Sequence, residues 1–131
     1  MKLAGCIIRD KDNRILLLHR NTDKHQQWEV PGGKVEDGEE PQATAMREVK
    51  EETGVDVQII QLLGHQAFTE GERTFDYSYF LAEIVDGEIS VLEPETFDDA
   101  KHFSIGQMRH LNLSTGASTF LNMVQKGEIE L

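Results

Sequence analysis

The stretch from Gly33 to Val55 reads GKVEDGEEPQATAMREVKEETGV, and it carries the strongest structural signal in the chain. Pro41 suits the first helical position, where its missing N–H is not needed. Most of the residues that follow are good helix formers. Gly54 suits the position just after the last helical residue. The pattern therefore predicts a helix that starts at Pro41 and ends before Gly54, behind a glycine-rich acidic loop.

The predicted helix has two distinct faces. At about 100° per residue, one side gathers the residues expected to face the core, Gln42, Ala45, Met46, Val49 and Thr53. Another side gathers three carboxylates within an arc of about 100°, those of Glu48, Glu51 and Glu52. Arg47 lies one turn before Glu51, at the i,i+4 spacing of an ion pair.

Three carboxylates on one helix face repel one another. A solvated, charged face is the usual explanation of such a run. A bound divalent cation is the other explanation, because Mg²⁺ takes oxygen ligands and leaves part of its coordination shell to water and substrate phosphates. The helix alone leaves both explanations open.

The same segment resembles the Nudix box, Gly-x5-Glu-x7-Arg-Glu-U-x-Glu-Glu-x-Gly-U, in which U is an aliphatic residue. Every specified position matches, from Gly33 through Glu39 to the run between Arg47 and Val55. The preceding residues, 28–33, are similar to the usual approach to this box. The resemblance, to MutT-like Nudix hydrolases, implies an α/β fold, a Nudix-type α/β/α sandwich with a mixed β-sheet.

The resemblance also implies a reaction. Members of the family hydrolyse a nucleoside diphosphate that is linked to another group, and they require Mg²⁺ or Mn²⁺. Water attacks one phosphorus of the diphosphate bridge. A metal ion stabilises the growing negative charge and makes the attacking water easier to deprotonate.

Carried over position by position, the resemblance implies a role for each box residue. Glu51 and Glu52 are expected as direct metal ligands. Glu48 is expected as a ligand or as the residue that orients or deprotonates the attacking water. The carbonyl of Gly32 is expected as a further ligand, and Arg47 is expected to support catalysis by orienting Glu48 or pairing with Glu51.

Residues outside the box are expected to complete the site. Several family members take a further metal ligand from a distal acidic loop. The segment LEPETFDDAKHF offers Glu93, Glu95, Asp98 and Asp99, and we favour Asp98 or Asp99 as a metal ligand. A solvated acidic turn is the alternative.

Two cationic side chains are expected to contact substrate phosphate. Arg20 ends a predicted strand near the expected mouth of the site, and Lys34 directly follows the glycine turn. A surface salt bridge is the alternative role for Arg20.

Composition bounds the remaining possibilities. The chain has 131 residues, of which 38% are hydrophobic and 28% charged, with a formal net charge of −11. This acidity disfavours binding to nucleic-acid duplexes, which need a basic surface. Cys6 is the only cysteine, so no internal disulfide forms. We expect one Nudix domain over residues 1–131, cytoplasmic, bound to a small nucleotide and not to a membrane, as a monomer or a homodimer.

The rest of the chain reads as strands, a polar loop and two more helices. We expect a hairpin of strands 3–8 and 14–19, followed by a loop at 21–27. After the box helix we expect strands at 56–63 and 65–69 and a long strand at 73–85 that is apolar on both faces, with a hairpin turn at 86–87 and a strand returning over 88–92. Two helices are expected at 104–110 and 114–126.

The substrate is the least constrained prediction. Some branches of the family carry a marker beyond the box for ADP-ribose or diadenosine polyphosphates, whereas this chain has Glu70 and Gly71 there. Its compact length is similar to that of nucleoside triphosphate pyrophosphohydrolases, so we expect a (deoxy)nucleoside triphosphate to be cleaved to monophosphate and pyrophosphate. An ADP-ribose or other nucleotide-sugar pyrophosphatase and a non-catalytic nucleotide-sensing module are the alternatives. The intact box disfavours an isoprenoid diphosphate isomerase.

Overall fold

The computed structural model describes all residues from 1 to 131. It contains seven strands and three helices. Their order along the chain is β1 Lys2–Ile8, β2 Ile15–Asn21, β3 Gln26–Glu29, β4 Gly32–Lys34, α1 Pro41–Thr53, β5 Asp56–Glu70, β6 Arg73–Asp86, β7 Phe97–Phe103, α2 Ile105–Met108 and α3 Thr115–Gln125.

The strands form two sheets. One has four strands in the order β4-β1-β6-β5, and the other has three in the order β3-β2-β7. Strand β1 runs parallel to β6, while the remaining pairs are antiparallel. The larger sheet is therefore mixed, which confirms the predicted α/β class with a mixed β-sheet.

Helices α1 and α3 pack on opposite faces of the four-stranded sheet. Alternate residues of β1 explain this arrangement, because Ala4, Cys6 and Ile8 pack in the same cluster as Val49 of α1. Ile7 points the other way, into the cluster that holds four residues of α3. A strand buried on both faces reads as a continuous apolar run. The layers confirm the α/β/α sandwich.

Helix α1 has the predicted ends, but its buried face differs from the prediction. Gly54 follows the helix with a φ of 83°, and its N–H donates to the carbonyl of Lys50. Glu52 lies on the buried side. The prediction that Gln42 and Met46 face the core is wrong, because both are exposed. The full buried set is Thr44, Ala45, Val49, Glu52 and Thr53. The contacts of α1 with β1 and β4 cover the side of the helix that carries Glu52.

The predicted pairing of the first two strands is wrong. The chain does reverse near Asp10, whose N–H donates to the carbonyl of Arg14, and Arg9 forms one antiparallel bridge with Ile15. Beyond that point β1 and β2 enter different sheets. The reason is that β4 and β6 already occupy both edges of β1.

The prediction of a returning strand over residues 88–92 is also wrong, because β6 lies between β1 and β5 and has no free edge. Strands β3, β4 and β7 were not predicted. The two strands predicted over 56–69 form the single strand β5, which is interrupted by three register shifts.

The short helix ends at Met108, earlier than predicted, and begins with a reciprocal cap between Ser104 and Gln107. Helix α3 lies within one residue of its prediction at each end, with Ser114 capping its first turn. None of the three helices is long and apolar enough to cross a membrane.

Candidate active site

The glycine turn before α1 brings the backbone of β4 against the helix. A β-carbon on Gly33 would overlap the carboxylate of Glu48, so only glycine allows this close approach. The neighbouring Gly32 donates its N–H to Oε1 of Glu52 at 3.0 Å. The two glycines thus fix the positions of two of the three predicted carboxylates.

Glu52 is the most deeply placed of the acidic residues. It is only 6% exposed. Burial is the main cause that raises its pKa well above the usual value, and the charge of Glu48 raises it further, while the hydrogen bond from Gly32 opposes the shift. A buried carboxylate without a cation beside it is costly to ionise.

Arg47 links the loop to the acidic face of α1. Its Nε donates to Oε2 of Glu39 at 2.8 Å. Its Nη1 donates to Glu48 at 2.9 Å and to Glu51 at 3.2 Å, and its Nη2 donates to the carbonyl of Lys34 at 3.3 Å. The guanidinium therefore holds two of the three predicted carboxylates, as the sequence predicted, and fixes the loop as well.

The three carboxylates that Arg47 contacts, those of Glu39, Glu48 and Glu51, lie in different environments. The hydrogen bond from Arg47, followed by that from Thr44, lowers the pKa of Glu39 to about 2. Burial raises the pKa of Glu48, although the charge of Arg47 opposes this shift. The side chain of Glu51 is 48% exposed. Glu39 thus acts as an anchor for the loop, while Glu48 keeps a raised pKa despite its cationic neighbour.

A second group of charges reaches the site from the other sheet. Arg20 of β2 forms a two-point ion pair with Glu29 of β3, with Nε and Nη2 at 2.6 and 3.1 Å from its carboxylate oxygens. The guanidinium carbon of Arg20 lies 5.1 Å from the ring centre of Phe97. Glu29, Glu52 and Glu93 all act on the pKa of Arg20 and raise it. Arg20 therefore does form a salt bridge, with Glu29, and the charges of Glu52 and Glu93 also act on it.

The acidic segment before β7 contributes Glu93 to this region. The charge of Glu93 helps raise the pKa of both Glu48 and Glu52. Burial and the charges of Glu51 and Glu95 raise the pKa of Glu93 itself. Its place beside three box glutamates makes Glu93 the distal acidic residue that the fold brings to the cluster.

Asp98 and Asp99 have other partners in this structure. Asp98 accepts hydrogen bonds from His19 at 2.7 Å and from Asn21 at 2.8 Å. Asp99 accepts from the N–H of Ala100 at 2.8 Å. Both residues lie in β7 and not in a loop, because the segment pairs with β2. The expectation that one of them binds metal gains no support from these contacts.

Sequence reasoning missed Glu29 and did not favour Glu93. Glu29 directly precedes the Val-Pro-Gly-Gly run, and its position beside the box was the available signal. Glu93 was one of four acidic candidates, and spacing alone could not choose between them. The proximity of Glu29 and Glu93 to the box depends on how β3 and the segment before β7 approach α1.

A cavity of about 290 Å³ opens beside the glycine turn. Arg20, Glu29 and Gly33 belong to its lining, so it adjoins the charged groups. Its apolar wall comes from the β5–β6 hairpin and contains Phe68, Phe75 and Tyr77, while the first turn of α3 closes another side. Phe68 and Phe75 are cross-strand partners, with ring centres 5.5 Å apart.

The box residues suit a hard divalent cation. The available donors are carboxylate and carbonyl oxygens, the ligand type that Mg²⁺ and Mn²⁺ prefer. No three His, Cys, Asp or Glu side chains close around one point in this structure, and Glu48 and Glu51 instead contact Arg47. Mg²⁺ needs only one or two carboxylates when water and substrate phosphates complete its shell. The buried acidic group of Glu52 is the observation that favours a cation here.

Comparison with known proteins identifies the family. The family model described as the NUDIX domain matches residues 2–124. The 8-oxo-dGTP diphosphatase of Proteus vulgaris is 37% identical over 83 residues, which cover 62% of this chain and 74% of that protein. The 8-oxo-dGTP diphosphatase of Escherichia coli (strain K12) is 33% identical over 90 residues, or 67% of this chain and 70% of that protein.

Solved structures agree with this assignment. A MutT NUDIX hydrolase from Burkholderia pseudomallei superimposes with a TM-score of 0.80 at 26% identity, covering 95% of this chain and 98% of that one. The fold of a MutT protein from Methanosarcina mazei Go1 matches with a TM-score of 0.84 at 21% identity, over 99% and 96% of the two chains. The box, the sandwich and these matches together show that the chain belongs to the Nudix family, as a MutT-like Nudix hydrolase.

Proposed function

We propose that the protein hydrolyses a (deoxy)nucleoside triphosphate to the monophosphate and pyrophosphate, with Mg²⁺ or Mn²⁺ as the required cation. The observation that carries this proposal is an acidic cluster around the buried Glu52, next to a cavity that has an aromatic wall. The cluster suits a cation and the diphosphate bridge, and the cavity suits the nucleoside. The curated relatives named as 8-oxo-dGTP diphosphatases support the triphosphate class.

Five groups are proposed to hold the cation. Glu52, Glu51 and Glu48 supply carboxylates from one helix face, and Gly32 supplies a carbonyl oxygen. Glu93 joins them from the segment before β7, because its charge already acts on Glu48 and Glu52. We prefer Glu93 to Asp98 and Asp99, whose carboxylates are engaged by hydrogen bonds elsewhere in β7 and β2.

Two cationic side chains, those of Arg20 and Lys34, are proposed to bind phosphate. Arg20 lines the cavity beside the glycine turn, and its pairing with Glu29 fixes its guanidinium in one orientation. A guanidinium fork matches phosphate oxygens well. Lys34 lies at the end of β4 with an exposed side chain, and we propose that its ammonium contacts a substrate phosphate.

Catalysis needs a proton to leave the attacking water. A bound divalent cation supplies Lewis acidity to the diphosphate oxygens and acidifies that water. Glu48 is half-buried and has a raised pKa, so its carboxylate accepts a proton more readily than an exposed glutamate does. Arg47 holds Glu48 in place through the contact at 2.9 Å. Either Glu48 or a neighbouring glutamate then carries the proton away.

A nucleotide screen tests this proposal. The protein is incubated with each ribo- and deoxynucleoside triphosphate, with ADP-ribose and with a dinucleoside polyphosphate, in Mg²⁺ or in chelator. We expect monophosphate and pyrophosphate from at least one triphosphate in Mg²⁺, and no product in chelator. Turnover of sugar-linked nucleotides alone, or release of orthophosphate in place of pyrophosphate, would contradict the proposal.

A further inference from the structure

One polar group on the cavity wall has no partner in the protein. Tyr77 lines the cavity, and only 7% of its surface is exposed. Its hydroxyl makes no hydrogen bond, although every fully buried side-chain nitrogen or oxygen of the molecule has one. The hydroxyl oxygen is therefore not fully buried, and the cavity is the space that Tyr77 lines. An unpaired hydroxyl sealed in the core would instead be costly.

Three glycines fix the position of the Tyr77 ring. A β-carbon on Gly5 or Gly32 would overlap the Tyr77 hydroxyl, and one on Gly116 would lie 3.1 Å from the ring. Gly5 and Gly32 face each other across β1 and β4. The ring also stacks on Tyr79 with centres 4.4 Å apart and planes 8° from parallel. The hydroxyl is thus held rigidly over a stretch of bare backbone.

The sheet separates this hydroxyl from the acidic cluster. Side chains alternate between the faces of a strand, and the β-carbon direction of Gly33 points to Glu48 while that of Gly32 points to Tyr77. Tyr77 belongs to the hydrophobic cluster that contains α3, on the face opposite α1. A phosphate held by the glutamates therefore lies on the other side of this sheet edge from the Tyr77 hydroxyl.

The part of a nucleotide that reaches Tyr77 must suit its surroundings. Phe68 lies 6.4 Å from Tyr77 with the rings 29° from parallel, and a planar base packs well against such aromatic walls. Burial raises the pKa of Tyr77 well above its usual value, so the hydroxyl stays protonated and can both donate and accept. The edge of a nucleobase offers matching donors and acceptors.

We propose that the Tyr77 hydroxyl hydrogen-bonds an edge atom of the nucleobase and helps to determine which base the enzyme accepts. The proposal rests on the nucleotide substrate proposed above. It assigns to Tyr77 a role in specificity and none in the chemistry of phosphate cleavage.

The matched pair Tyr77→Phe and Tyr79→Phe tests the proposal. Tyr79 stacks beside Tyr77, but its hydroxyl donates to the carbonyl of Gly116 at 2.6 Å, and it is not part of the cavity lining. Dissociation constants for the four deoxynucleoside monophosphates are measured by calorimetry. KM and kcat for the four triphosphates and thermal unfolding complete the comparison.

We expect Tyr77→Phe to weaken binding and to raise KM by roughly 3- to 10-fold for the preferred base. The loss should be smaller for the other three bases, whose edge atoms are placed differently. The value of kcat should change little, and the unfolding temperature should stay unchanged because the hydroxyl has no protein partner. Tyr79→Phe should show the reverse, with lower stability and unchanged KM. Equal losses for all four bases, or no loss, would overturn the proposal.

The monophosphate binding data keep this inference separate from the proposed function. If no triphosphate is turned over, the proposed reaction fails. A base-dependent loss of monophosphate affinity in Tyr77→Phe would still support the role of the hydroxyl, and an unaltered affinity would still refute it.

Discussion

Glu52 is buried and acidic, a combination that needs a cation nearby. Its side chain packs on the core side of α1, and its one hydrogen bond comes from the N–H of Gly32. A hydrophobic residue would be usual at this depth. The proposed role of Glu52 as a cation ligand would account for this position, and substitutions here separate function from folding.

Glu52→Gln should abolish turnover while the fold survives. The change removes a charge at nearly constant shape, and the amide can still accept the N–H of Gly32. We expect kcat/KM to fall by about 10²- to 10³-fold, the scale of losing a group that stabilises the transition state. Steady-state kinetics and circular dichroism provide the measurement. Turnover close to wild type would contradict the assignment of Glu52 as a metal ligand.

The stability of the metal-free protein should depend on pH through the same residue. Because folding raises the pKa of Glu52 well above its usual value, the protonated carboxyl favours the folded state. This contribution is fully present below about pH 4.5 and is lost as the pH rises through the elevated folded pKa. In chelator, the wild type should lose stability relative to Glu52→Gln as the pH rises above about 4.5. Parallel denaturation curves of the two proteins across this range would contradict the prediction.

At the scale of the elements, α1 and the loop before it act as one unit because Arg47 joins them. Arg47 contacts the loop residue Glu39 and the helix residues Glu48 and Glu51. A lysine has a single ammonium and cannot make these contacts together. The geometry of the whole segment therefore depends on one planar side chain.

Arg47→Lys should lower kcat by roughly 10- to 100-fold, as is typical when a residue that orients metal ligands is changed. Kinetics at saturating Mg²⁺ and nucleotide measure the effect. Arg14→Lys is the control, since the side chain of Arg14 makes only exposed ion pairs, with Asp10 and Asp12, and its replacement should leave kcat unchanged. Equal kcat values for the two variants would show that Arg47 does not position the glutamates.

Gly33→Ala should impair catalysis through Glu48. The new β-carbon would overlap the Glu48 carboxylate and push it from its position, and such a displacement can cost about 100-fold in kcat/KM. Gly106→Ala is a matched control, because the nearest atom to a β-carbon there is 3.9 Å away. Wild-type kinetics for Gly33→Ala, with the fold intact by circular dichroism, would refute the contact.

The sequence predicted α1 well and the sheets poorly, and the reason is the range of the interactions. Pro41 and Gly54 are local signals at the ends of the helix, and the box spacing defines its acidic face. The failed strand at 88–92 and the missed strand β7 depend on which sheet edges are free, which only the assembled fold decides. For the same reason the box glutamates were predictable, whereas Glu29, Glu93 and Tyr77 reach the site from other elements.

At the scale of the whole molecule, charge is the dominant property. A formal net charge of −11 on 131 residues produces self-repulsion that salt screens. Part of this charge is gathered at the active site, where the charge of Glu93 raises the pKa of Glu48 and of Glu52, and the charge of Glu48 raises the pKa of Glu52 further. Added cations should therefore act in two separable ways, by screening the net charge and by binding at the acidic cluster.

Mg²⁺ should raise the unfolding temperature more than NaCl does at the same ionic strength. Sodium ions only screen the repulsion, whereas Mg²⁺ also binds the folded state and should add about 3–6 °C at ten times its dissociation constant. Differential scanning calorimetry of the wild type and Glu52→Gln measures the excess. An excess of equal size in the variant would place the bound ion elsewhere.

The slot that Gly5, Gly32 and Gly116 form around Tyr77 restricts how the enzyme can be redesigned. A side chain at Gly5 or Gly32 collides with the hydroxyl and one at Gly116 crowds the ring, so the inner end of the cavity tolerates few sequences. The outer end is formed by the β5–β6 hairpin, where Phe68 and Phe75 are only partly buried. Libraries intended to broaden the range of accepted nucleotides should therefore vary the hairpin tip and leave the glycines untouched.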